Sequence, residues 1–376
     1  MIIYKDIDPA KPDGRRTAAG LLRLRRALAK ELPPKRVDGN LLLATWNVRE
    51  LGNTKFGGRT RESLYYIAEI VSAFDLVAVE EVRSDVTSFK EVRALLGPWW
   101  KFLVSDVTQG VRGNNERIGF LYDSRKVEFG GLASGVVLPP IGEKGRERGA
   151  ATVKPVLQPA RTPMLVSMRA GWLGFTICAT HSIYGKGVAD YPPRVKEIGE
   201  LAQFLKGRVE DRFAWSPHMF LVGDLNIYKT TDQTFQKLTE AGFIVPKPIV
   251  EARSNAKQDK HYDQIAFLST YLAKRTKDGS KQVIGGAFDF YKHVYREEDA
   301  RDYASGMGAR YRRLAAKKKM PYFRNWRTYQ MSDHLPLWVG IDTDFSYGYL
   351  ANKYRGKSGP PAKPAVRRRR RARKKR

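Results

Sequence analysis

Six stretches of the sequence place a residue able to do chemistry at the edge of an apolar run. Leu41–Trp46 leads into Asn47, LVAVEEV presents Glu80 and Glu81, and ICATHSIYG presents His181. FLVGDLNIY presents Asp224 and Asn226, HYDQIAF presents Asp263, and MSDHLPLW sets Asp333 and His334 at the start of a strand. Carboxylates and amides at the border of an apolar core are costly unless paired, hydrated or holding a metal. One such residue is ordinarily a cap or a turn; six runs sharing the feature point to a site. Glu81, Asp224, Asp263 and Asp333, with Asn47 and Asn226, offer hard oxygen ligands that suit Mg²⁺ or Mn²⁺ rather than zinc. His181 and His334 add proton transfer near neutral pH. A divalent ion beside histidines fits attack by water on a phosphodiester, where negative charge builds on phosphorus and on the leaving oxygen. The sequence has no G-x-x-x-x-G-K-S/T phosphate loop and no G-x-S-x-G elbow, so P-loop hydrolysis and serine esterase chemistry lack their motifs. His218, His261 and His293 read as structural or edge residues, Cys178 as a small core residue, and Trp99 and Trp100 as core packing.

These residues need a scaffold of short buried strands. Strands are predicted at Leu41–Val48, Leu76–Val82, Ile118–Tyr122, Met164–Met168, Phe175–Thr180, Met219–Val222, Tyr262–Leu268 and Leu335–Ile341, with a hairpin turn around Ala170–Gly174. Helical spacing runs through Glu62–Phe74 and Arg194–Lys206. Strands and helices mixed in this way, without a regular βαβ rhythm, predict an α/β layered protein. Residues 1–39 form an N-terminal extension whose basic amphipathic helix, Arg15–Leu32, is expected to dock its leucine stripe on the core. The polar, basic and aromatic stretch 269–329 reads as an insertion before the last strand.

Charge narrows the partners. The 376 residues carry a formal net charge of +29. Residues 351–376 hold 13 basic side chains and no acid, which leaves +16 on residues 1–350. A surplus of this size on both body and tail predicts a polyanion, nucleic acid first. Residues 346–376 are expected to be a disordered basic tail making non-specific phosphate contacts. No apolar run approaches a membrane span. The charged start, MIIYKDIDPAKPDG, lacks a signal peptide's apolar stretch, and a single cysteine allows no intrachain disulfide; both predict a cytoplasmic protein, associated with nucleic acid.

In chain order, TWNV (45–48), AVEEV (78–82), ERIGFLYD (116–123), RTP (161–163), THSIYG (180–185), GDLN (223–226), YDQI (262–265) and SDH (332–334) resemble the motifs of the endonuclease/exonuclease/phosphatase superfamily, in its deoxyribonuclease I-like branch. The resemblance spans roughly Asn40 to Asp342 and implies, over a domain of residues 40–345, a four-layer α-β-β-α sandwich of two packed mixed sheets. It implies Glu81 as principal metal ligand, with Asn47 and Asp333 assisting. It implies Asp224 and Asn226 positioning water and phosphate, Asp263 orienting His334, Glu116 orienting His181, and Arg161 near the scissile phosphate. The product implied is a 5′-phosphate and a 3′-hydroxyl. One departure is Glu80, where the family commonly has glutamine; an extra charge there would perturb the metal geometry. The resulting expectation is a Mg²⁺- or Mn²⁺-dependent endonuclease acting on DNA with little sequence specificity. Two alternatives stand beside it: a phosphatase or phospholipid diesterase of the same superfamily, and a catalytically silent nucleic-acid-binding protein.

Overall fold

The computed structural model describes residues 2–109, 113–139, 156–269, 272 and 283–356. Strand β1 (Asn40–Leu51) is buried and largely apolar from Leu41 to Val48, with Thr45 and Asn47 its polar residues there, because both of its faces are covered. Leu41 and Leu43 face one core; Leu42, Ala44, Trp46 and Val48 face another. Strand β2 (Leu76–Arg83) pairs with β1 in parallel, and helix α2 (Arg61–Ser72) supplies the crossover. Thr60 starts that helix by accepting the Ser63 N–H on its side-chain oxygen at 3.2 Å. Antiparallel neighbours flank this pair: β11 (Leu337–Asp342) beside β1, and β4 (Glu116–Asp123) beside β2. Strands β3 (Trp100–Val104) and β10 (Ile284–Ala287) close the edges of the six-stranded sheet.

The second sheet repeats the plan. Strands β7 (Leu173–His181) and β8 (Met219–Asp224) are parallel across helix α4 (Pro192–Glu210). Strands β6 (Met164–Ala170) and β9 (Asp263–Leu268) flank them antiparallel, and β5 (Val127–Gly135) lies outermost on the β6 side. The β6–β7 connection is a two-residue hairpin, Gly171-Trp172, as expected.

One apolar cluster, with Leu43, Ala78 and Phe120 from the first sheet and Val166, Ile177, Phe220 and Ile265 from the second, fills the space between the sheets. Helices cover both outer faces: α4 and α5 (Gln233–Glu240) on the second sheet, and α1 (Pro12–Glu31), α2 and α3 (Thr87–Leu96) on the first. This is the expected four-layer α-β-β-α sandwich.

The wiring brings the candidate site residues to one edge of the two sheets. The paired parallel strands β1, β2, β7 and β8 deliver Asn47, Glu81, His181 and Asp224 near their C-terminal ends. Their antiparallel neighbours begin at that edge, so Glu116 opens β4, Asp263 opens β9 and faces Asp224 in register, and His334 precedes β11.

The eight predicted strands are present, with ends shifted by a few residues. The three described strands that were not predicted, β3, β5 and β10, lie at sheet edges, where half-solvated faces and glycines replace the apolar run (Lys101 in WKFLV, three glycines in VEFGGLASG, IGGA). The Arg15–Leu32 stripe does dock: Leu21, Leu24 and Leu28 of α1 join the cluster under α2. The 269–329 stretch is woven in rather than appended. β10 pairs with β11, and Tyr295, Tyr303, Phe323 and Trp326 pack in the same cluster as Trp46. Of the paired tryptophans, Trp100 is buried but Trp99 is exposed. The tail expected to lack structure from 346 onward instead begins with a helix, Ser346–Tyr354, while residues 357–376 lie outside the described residues. Among the described residues no helix is long and apolar enough to cross a membrane.

Candidate active site

Two features aim the Glu81 side chain. Its backbone sits at φ +58°, a left-handed conformation rare for a residue with a side chain, and the β2–β4 register shifts between Val79 and Val82 around it. Strain of this kind persists where the surroundings impose it and gathers at functional sites. Asn47 Nδ2 donates to Glu81 Oε1 at 2.8 Å, and the Glu50 backbone N–H donates to Oε2 at 2.8 Å. Asn226 is likewise left-handed, at φ +52°; its N–H donates to Asp224 Oδ1 at 2.9 Å and its Nδ2 to the Ser182 carbonyl at 2.9 Å.

Two imidazoles face each other across Asp224. His334 Nδ1 lies 2.8 Å from Asp263 Oδ2, which leaves Nε2 directed at Asp224 Oδ2, 3.7 Å away. His181 Nδ1 lies 3.2 Å from Glu116 Oε2, and its Nε2 lies 3.5 Å from the same Asp224 oxygen. At His334 the hydrogen bond to Asp263 fixes the tautomer and frees Nε2 for proton transfer, whereas Glu116 stands close to His181 Nδ1 without hydrogen-bond alignment. Asp224 Oδ2 also accepts from Asn47 Nδ2 at 3.0 Å, which links the Asn47–Glu81 pair to both histidines.

Burial shapes the ionisation of each group. For His334 burial opposes the charge, but Asp263 and Asp224 outweigh it and hold the imidazole well above its usual value. For Glu116 burial works upward, yet the imidazole of His181 and the guanidinium of Arg161 bring the carboxyl to about 2. Glu81 goes the other way: burial, with Glu116 and Asp333, raises it, and the opposing pull of His181 and of the Asn47 hydrogen bond does not offset that.

Eight of the expected residues line one cleft of about 780 Å³, Glu81, Glu116, Arg161, His181, Asp224, Asn226, Asp333 and His334, while Asn47 and Asp263 are buried behind it and touch Glu81, Asp224 and His334. Three placements differ in detail from expectation. Asp333 stands at the cleft wall, 44% exposed on its side chain and 3.5 Å from Arg49 Nη1, outside the Glu81–Glu116–His181 group whose ligand atoms lie within 4.8 Å of one another. Arg161 directs Nε to Glu116 Oε2 at 2.9 Å, so its guanidinium first neutralises that carboxylate. Glu80 adds no charge to the cleft: it is fully buried, accepts from Thr45 Oγ1 at 2.7 Å, and burial pushes it far above the carboxylate range, which favours its neutral form. Arg49, Arg83, Asn114, Asn115, Tyr184 and Tyr262 also line the cleft without having been assigned. Arg49 and Arg83 directly follow TWNV and AVEEV, and Tyr184 and Tyr262 lie within THSIYG and YDQI, so the motifs pointed at them.

The residues fit a hard divalent cation. Asn47 Oδ1 is buried without a hydrogen-bond partner, beside the carboxylate of Glu81. An orphaned amide oxygen next to a carboxylate is a hard-oxygen pair of the kind Mg²⁺ or Mn²⁺ accepts as ligands. Exchanging Glu81 for Gln is expected to weaken Mn²⁺ binding tenfold or more, and exchanging Asn47 for Ala about tenfold to a hundredfold. Titration calorimetry reads both without reference to activity, and unchanged affinities would remove these two ligands.

No protein-family model matches the sequence, and neither does any curated protein. Solved structures do match. An endonuclease/exonuclease/phosphatase family protein from Bacteroides thetaiotaomicron is 14% identical over 82% of this chain and 99% of its own, with a TM-score of 0.50. The human Nocturnin catalytic domain with bound sulfate is 13% identical over 83% and 97%, with a TM-score of 0.49. A mannosyl-6-phosphatase from the same Bacteroides species is 14% identical over 80% and 99%, with a TM-score of 0.49. The two-sheet sandwich is the fold of that endonuclease/exonuclease/phosphatase family protein from Bacteroides thetaiotaomicron.

Proposed function

We propose that the protein is a divalent-metal-dependent endonuclease that hydrolyses phosphodiester bonds of DNA with little sequence preference, leaving a 5′-phosphate and a 3′-hydroxyl. The observation that carries this reading is the pair of histidines, His334 hydrogen-bonded to Asp263 and His181 within 3.2 Å of Glu116, whose Nε2 atoms both approach Asp224 Oδ2. A phosphodiester needs both a base for the attacking water and an acid for the leaving alkoxide, and two imidazoles supply both. A metal held by Glu81 and Asn47 would neutralise charge developing on the phosphoryl oxygens. Asp224 and Asn226 position the water and the phosphate between the rings. Arg161, partly engaged by Glu116, adds positive potential at the same place.

The basic body and tail favour a polymeric anion over a small phosphate ester, because phosphate contacts supply affinity without sequence information. Nicking of supercoiled plasmid in Mg²⁺ or Mn²⁺ tests the reading directly. An intact plasmid, or equal nicking by Glu81→Ala, would overturn it, and faster phosphate release from inositol polyphosphates would favour the phosphatase alternative. DNA binding that persists in EDTA with no cleavage in metal would favour the silent binding protein.

The tail adds a separable expectation. Removing Lys357–Arg376 should weaken DNA binding and flatten its log–log salt dependence by roughly 0.9 for each phosphate that the tail had neutralised, with turnover on short substrates at low salt little changed. An unaltered slope would show that the tail does not touch the backbone.

A further inference from the structure

One wall of the cleft is aromatic. The Tyr262 ring lies over the His334 imidazole, centroids 5.5 Å apart and planes at 30°. Tyr228 meets Tyr262 edge-on at 5.3 Å, and Lys260 Nζ stands 4.6 Å from the centre of the Tyr228 ring. Tyr184, three residues after His181, borders the same cleft and remains 49% exposed. The Tyr184 and Tyr228 hydroxyls converge on Gly187, lying 3.6 and 4.0 Å from where a Cβ would stand there. Gly187 adopts φ +71°, which lets the loop turn back beneath the two rings.

The loop that carries Tyr184 is held at a cost. Arg194 of α4 is fully buried, and its guanidinium donates to backbone carbonyls of Ile183, Tyr184, Val188 and Ala189. Burying a guanidinium on neutral partners is expensive, and burial lowers the pKa of Arg194 accordingly. What the arrangement secures is the position of residues 183–189, and with them a tyrosine whose ring still meets solvent at the cleft. Core packing does not account for an aromatic ring that stays half exposed on a segment fixed so firmly.

We propose that Tyr184, backed by Tyr228 and Tyr262, forms a subsite that stacks on an unpaired nucleobase beside the scissile phosphate and so directs cleavage toward single-stranded or locally opened DNA. This rests on the nuclease reading above. In a duplex the base faces are covered by their neighbours, so a side chain gains this contact only from a base already out of the stack. Stacking on tyrosine is indifferent to base identity, in keeping with weak sequence preference.

The experiment compares wild type, Tyr184→Ala and Tyr184→Phe on a single-stranded oligonucleotide, on the same strand carrying abasic sites, and on its duplex. It adds anisotropy binding of the single strand in EDTA. Tyr184→Ala is expected to raise KM on the intact single strand about tenfold, with the effect on KM rather than kcat. The abasic strand should show no such rise, and Tyr184→Phe should restore the wild-type KM because the ring, not the hydroxyl, makes the contact. Equal losses on intact and abasic strands, a fall in kcat alone, or no change would overturn the subsite. If wild type cleaves no polynucleotide yet binds the single strand more tightly than Tyr184→Ala, the nuclease reading falls and the subsite stands. Absence of both cleavage and binding would sink the two together.

Discussion

Alanine at His334 is expected to lower the turnover of DNA cleavage by about a hundredfold to ten-thousandfold, and alanine at His181 by a comparable factor. Each removes one of the two imidazoles that converge on Asp224, and no third histidine lines the cleft among the described residues. The leaving group separates their roles. With a phosphodiester of p-nitrophenol, which departs without protonation, loss of the general acid should cost little, whereas loss of the general base should cost nearly as much as on DNA. The histidine whose alanine variant recovers on that substrate is the acid. Asp263→Asn should behave as a weaker form of His334→Ala, since the ring stays in place but loses the carboxylate 2.8 Å from Nδ1. If both alanine variants retain wild-type turnover on DNA, proton transfer by these rings is not part of the reaction. If neither recovers with the better leaving group, the division into acid and base is wrong.

Much of this site was legible in the sequence, for a physical reason. A central strand covered on both faces must be largely apolar, so a charged or amide side chain near its end stands out. Asn47, Glu81, His181 and Asp224 are all such residues. The parallel pairing that brings four of these ends to one edge is a property of the sheet and cannot be read from any single strand. The missed strands β3, β5 and β10 are edge strands with solvent-facing residues, unlike the buried edge strand β9; β5, nearly all exposed, leaves no periodic trace. Glu80 shows the opposite limit. One residue from Glu81, it is turned into the dry interior, where Thr45 meets it, and burial favours its neutral form. Arg49 and Tyr184 were visible inside or beside motifs, but their use depends on what stands across the cleft.

Exchanging Gly223 for Ala is expected to cost on the order of 4 kcal/mol, and to inactivate whatever protein still folds. Gly223 precedes Asp224 at the end of β8 with φ +123°, a conformation that side chains rarely adopt. A Cβ there would stand 2.0 Å from the Thr180 carbonyl oxygen on the paired strand, too close for any real contact. The clash is with backbone, so no rotamer change relieves it; β7 and β8 must separate just where they end in His181 and Asp224. Stability and function are therefore coupled through one hydrogen atom. Denaturant unfolding should show a midpoint well below that of wild type, and calorimetry a Tm lower by roughly 5–10 °C. A stable Gly223→Ala protein with full activity would mean that β8 ends with a different backbone from the one described. A stable but inactive one would show that the strands part locally, and that the 3.5 Å approach of His181 to Asp224 is what the glycine preserves.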